Sequence, residues 1–100
     1  MPKPLIITSR AVFDAVLRDA LAKTDDIAKI DPAWTLPQSV KRQLEHMQRC
    51  TQHGRNPTDD EKALVDVGPI AVKNFEESDE QYADWLKELD YAFHRLEQLH

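Results

Sequence analysis

Two glycines, Gly54 and Gly68, are all that this 100-residue chain contains. That scarcity, with almost no alternating β-branched runs, argues against a β architecture. Gly68-Pro69 is not a phosphate loop, because it has neither the glycine-rich spacing nor the Lys-Ser/Thr ending that cradles phosphates. The lone cysteine, Cys50, excludes an internal disulfide and a four-cysteine zinc site, and it fits a reducing compartment. No apolar run approaches the ~20 residues that span a bilayer, and the N-terminus has no apolar signal core. The expected location is the cytoplasm. The histidines cluster without a glycine-rich elbow or oxyanion turn, so no Ser-His-Asp constellation is expected. The reading is a non-enzyme with no cofactor.

The length suits one domain, residues 1–100. Its net charge of −5 is unevenly divided: residues 1–56 carry nine Lys/Arg against six Asp/Glu, and residues 57–100 carry four against twelve. Such an acidic second half repels nucleic acid and anionic membranes and attracts basic protein surfaces. A protein partner is therefore expected, with no nucleic acid and no membrane.

Apolar residues recur at helical spacing almost throughout, which predicts an all-α fold: a small antiparallel bundle of about four helices. Ser9 or Thr8 caps a first helix with Val12, Phe13, Val16, Leu17, Ala20, Leu21 and Ile27 on one stripe, ending before Asp31-Pro32, and Leu5-Ile6-Ile7 is an extended lead-in. Trp34, between Pro32 and Pro37, reads as a core plug. A second helix starts near Pro37, turns Val40, Leu44, Met47 and Thr51 inward and ends at Gly54. Thr58-Asp59-Asp60-Glu61 is a capping box that opens a third helix. Ser78-Asp79-Glu80-Gln81 reads as a second box, opening a fourth that buries Tyr82, Trp85, Leu86, Leu89, Phe93 and Leu96 and runs almost to the C-terminus.

"HMQRCTQH" sets His46, Cys50 and His53 at i, i+4 and i+7, nearly opposite the Leu44-Met47 stripe. Three ligands at a helix end are a weak metal signal, and no metal is expected. Tyr91 is the misplaced aromatic of helix four, since it falls among Asp84, Lys87, Glu88 and Arg95 on the polar face. It either anchors an interface or packs on the stems of Lys87 and Arg95.

"GPIAVKNFEESDEQYADWLKELDY", Gly68 to Tyr91, resembles the C-terminal half of the type VI secretion immunity proteins that neutralise an NAD(P)+ glycohydrolase toxin. Gly68, Ile70, Ala71, Val72, Lys73, Phe75, Glu76, Glu77, Ser78, Asp79, Leu86, Lys87 and Tyr91 carry the resemblance. "SVKRQLEHMQ", Ser39 to Gln48, is similar to the long middle helix of that family. The resemblance implies a helical protein that binds its cognate effector toxin, blocks the toxin's NAD(P)+ site and performs no catalysis.

An acidic face suits a basic dinucleotide-binding cleft, so Asp66, Lys73, Glu76, Glu77, Asp79, Asp84 and Tyr91 are the candidate toxin-contact residues. The alternative reading is a helical adaptor or regulatory subunit of another cytosolic complex; an effector gene beside this one would separate the two. Within "VGPIAVKNFEESD" the Gly68-Pro69 pair is expected to stop or kink helix three, since Pro69 has no backbone donor for Val65. Ile70, Ala71, Val72 and Phe75 then turn into the core, and Glu76 and Glu77 occupy an exposed corner.

Overall fold

The computed structural model describes residues 6–100. Its helices are α1 (Arg10–Ile30), α2 (Leu36–Cys50), α3 (Asp59–Lys62), α4 (Val67–Asn74) and α5 (Glu80–Phe93), with 3-10 turns at Gln52–Gly54 and Leu96–Gln98. There is no strand among the described residues. Because α3 is a single turn, four helices of useful length remain, and the fold is the expected small all-α bundle. α1 packs along α2 across the short connection 31–35, and α5 packs along both α4 and α1.

The Ser9 side chain caps α1 by accepting the Val12 N–H at 3.2 Å. That helix buries Phe13, Val16, Leu17, Ala20 and Thr24. Thr24 is polar, but its hydroxyl donates to the Ala20 carbonyl at 2.7 Å and accepts from the Tyr82 hydroxyl at 2.6 Å. Both buried hydroxyls are thereby satisfied. α2 carries Pro37 in its first turn and buries Val40, Leu44 and Met47 together with Cys50. These side chains join Val65, Val67, Ala71, Phe75, Leu86, Leu89, Phe93 and Leu96 in one core.

The third helix does not run through as expected. Its capping box forms, with the Thr58 side chain accepting from the Glu61 N–H and the Glu61 carboxylate accepting from the Thr58 N–H. The helix then ends at Lys62, and single-turn bonds from Leu64 N–H to the Glu61 carbonyl and from Val65 N–H to the Lys62 carbonyl close it. The break precedes Gly68-Pro69, which lies inside the first turn of α4. Proline has no N–H to give, and only the first turn of a helix leaves that donor unneeded.

Three further expectations are corrected. The cap of α5 is Asp79, whose carboxylate accepts the Tyr82 N–H at 3.1 Å, and not Ser78. The Asp79 N–H closes the preceding turn on the Phe75 carbonyl at 2.8 Å, which puts residue 79 at the junction. α5 stops at Phe93, short of the chain end. Trp34 is 38% exposed and no plug: its ring leans on buried Phe75 at 5.5 Å, and Phe75 meets Tyr82 edge-on at 5.0 Å. In the lead-in, Leu5 lies outside the described residues, whereas the Ile6 and Ile7 N–H groups both donate to the Glu88 carboxylate.

Candidate functional site

Helical geometry sets Glu80, Asp84, Lys87, Glu88 and Tyr91 on one stripe of α5, opposite the buried Leu86, Leu89 and Phe93, with Arg95 just beyond the helix end. At its N-terminal end, Glu76, Glu80, Asp84 and Lys87 line one open depression. Lys87 Nζ lies 3.4 Å from Asp84 and 3.8 Å from Glu76, and Glu80 lines the same depression. Two turns on, Tyr91 is 48% exposed and the Arg95 guanidinium lies 4.4 Å from its ring centroid. The ring therefore packs on Arg95 while keeping a free face.

Thus the structure brings Glu76, Asp84 and Tyr91 onto one surface, with exposed Glu77 at the corner. The others stand apart. Asp79 caps α5 and pairs with Lys23 of α1 at 3.2 Å. Asp66 exchanges two hydrogen bonds with Gln43 of α2, at 2.6 and 2.8 Å, which ties the start of α4 to α2. Lys73 is exposed in the last turn of α4. Glu80 was missed in the sequence, although its place four residues before Asp84 on a helix was the available signal.

The His46-Cys50-His53 reading changes more. Cys50 is 2% exposed and belongs to the core rather than to a polar face. Its thiol donates to the Glu61 carboxylate at 3.2 Å, and His46 Nε2 lies 2.9 Å from the Glu61 carbonyl. His53 has left the helix, with a left-handed φ of 59°. His46 and Cys50 lie within 3.6 Å of each other without His53, and among the described residues no group of three His, Cys, Asp or Glu is arranged for a metal. What forms instead is a clasp on Glu61: Arg55 grips its two oxygens at 2.8 and 2.6 Å, and the Thr58 N–H donates to one of them. Thr58, the Cys50 thiol and Arg55 hold the Glu61 carboxyl below the usual range. Burial, reinforced by Glu61, pushes the Cys50 thiol up to about 11.

Among the described residues the helical scaffold presents a charged, aromatic-bearing face, the kind of surface that protein partners contact. The Tsi6 family model matches residues 13–95, and the chain belongs to this family of type VI secretion immunity proteins. It is accordingly not an enzyme, and its partner is a cognate effector protein. Searches of curated proteins and of solved structures return no match. Among the described residues no helix is long and apolar enough to cross a membrane.

Proposed function

We propose that this immunity protein neutralises an NAD(P)+ glycohydrolase effector in the cytoplasm by covering the mouth of its dinucleotide site with the acidic stripe of α5. The observation that carries the reading is the grouping of Glu76, Glu80, Asp84 and Lys87 in one depression beside an exposed tyrosine, on a chain of the Tsi6 family. A site that binds a dinucleotide phosphate needs positive potential, and a carboxylate-rich surface is its complement. Glu76, Glu77 and Asp84 steer the encounter, Tyr91 anchors it, and Lys73 lies at the edge; Asp66 and Asp79 shape the face by fixing the ends of α4 and α5.

The test is to produce the toxic domain of the cognate effector in cells, with and without this protein. Growth arrest with loss of NAD+ and NADP+, both prevented by co-production, is the expected result. Arrest with intact dinucleotide pools would assign the effector to another chemistry.

A further inference from the structure

Further along the same face, a cleft of about 180 Å³ opens between the N-terminal lead-in, α5 and the C-terminal 3-10 turn. Ile7, Ala92 and Leu99 give it an apolar lining, and Glu88, Tyr91 and Arg95 form its polar edge. The cleft is built by long-range contacts. Ile6 and Ile7 donate their backbone N–H groups to Glu88 Oε1 at 2.6 and 2.9 Å, which fastens the lead-in as one wall. Arg95 stacked at 4.4 Å restricts the Tyr91 ring as the other.

We infer that this cleft is the socket for one apolar side chain of the cognate effector, presented on a basic segment whose charges meet Asp84 and Glu76. The inference rests on the acidic-face reading above and names where the anchor goes. Size decides against a metabolite, because small-molecule sites begin at about 300 Å³, whereas a smaller apolar socket suits a single side chain. Tyr and Arg at the lip are the residue types that dominate binding energy around such sockets. Charge decides the neighbourhood, since the carboxylates of the adjoining depression favour a basic segment around the anchor.

The test fills the cleft without touching the acids. Ala92→Met extends a side chain into it, and Gln98→Cys, capped by a bulky methanethiosulfonate, blocks it from the rim. Buried Cys50 is spared by the reagent. Binding kinetics are measured against the purified toxic domain of the cognate effector. Both changes should weaken binding at least about tenfold through faster dissociation, and removing the cap with dithiothreitol should restore it. Gln52→Cys carrying the same cap, in the turn after α2, should bind like the parent.

If Ala92→Met fails to fold, as its thermal melt would show, the capped and uncapped Gln98→Cys protein decides alone. Unchanged dissociation with a filled cleft, while Glu76→Lys/Asp84→Lys still slows association, overturns the socket and leaves the acidic-face reading intact. Silence of both sets overturns both. An equal loss from capped Gln52→Cys also overturns the socket.

Discussion

The Gly68 backbone N–H donates to the Asp90 carboxylate at 2.8 Å, so α5 caps the start of α4 from the side. Asp66, the residue before α4, makes no side-chain cap bond of its own. An acid at this end also meets the positive pole of the helix dipole. A Cβ on residue 68 would stand 3.0 Å from Asp90 Oδ2 and 3.3 Å from its Cβ and Cγ, so any side chain there requires Asp90 to give way by a few tenths of an ångström.

Gly68→Ala should therefore destabilise, although alanine is the better helix former by ~1 kcal/mol. Turning the carboxylate does not fully relieve the contact, since the stem of Asp90 is close as well. A loss of about 1–2 kcal/mol in denaturant unfolding is expected. Asp90→Ala should cost about 1 kcal/mol through the lost cap. The double variant should lose less than the sum, because Asp90→Ala removes the carboxylate contacts at 3.0 and 3.3 Å and leaves only the Cβ at 3.3 Å; strict additivity would disprove the carboxylate contact as the reason for glycine.

Acid should weaken the fold through Glu61. Its carboxyl is depressed first by the Thr58 N–H, then by the Cys50 thiol and Arg55, so its stabilising effect is complete above the ordinary carboxylate range. That effect disappears as the pH falls through the lower folded value. Denaturant midpoints measured from about pH 6 down to about pH 3 should fall more steeply for the parent than for Glu61→Gln. Parallel curves would remove Glu61 from the acid response.

Cys50 should resist thiol reagents near neutral pH, being buried and pushed up to about 11. Ellman's reagent should label it only as fast as the protein unfolds. Stoichiometric labelling of the native protein within seconds would contradict the burial. Cys50→Ser should still fold, because the hydroxyl can donate to Glu61 in the same way.

Charge reversal separates steering from anchoring. Glu76→Lys, Glu77→Lys and Asp84→Lys should slow association with the effector's toxic domain, most at low salt, with helical content unchanged. Asp79→Lys is unsuitable, because it also removes the α5 cap. Tyr91→Ala should instead speed dissociation, a loss of about 2 kcal/mol with little dependence on salt. An association rate that ignores all three reversals would make these acids a solvated surface and move the search to Lys41, Arg42 and Arg49 on α2.

Tyr82→Phe should cost about 1 kcal/mol by removing one buried hydrogen bond. Thr24 keeps its bond to Ala20, so the loss is modest. A melting temperature equal to the parent's would show that the pair contributes nothing.

Local sequence determined most of the helices and inward faces, because a 3.6-residue apolar period and a residue such as Ser9 or Thr58 act within one or two turns, whereas Val72, expected in the core, is 55% exposed. The Gly68 to Tyr91 segment likewise carried the family resemblance in consecutive letters. Tertiary structure decided what depends on partners far along the chain. The spacing of His46, Cys50 and His53 assumed a helix that ends at Cys50, and only packing shows that the thiol belongs to the core. Asp66 and Asp79 read as free acids until Gln43 and Lys23, distant in sequence, came beside them. The cleft by Tyr91 exists because Glu88 holds Ile7 across 81 residues, and Gly68 is small because Asp90 arrives from another helix. Periodicity reports which way a residue faces, whereas a close approach between two elements is written in neither of them alone.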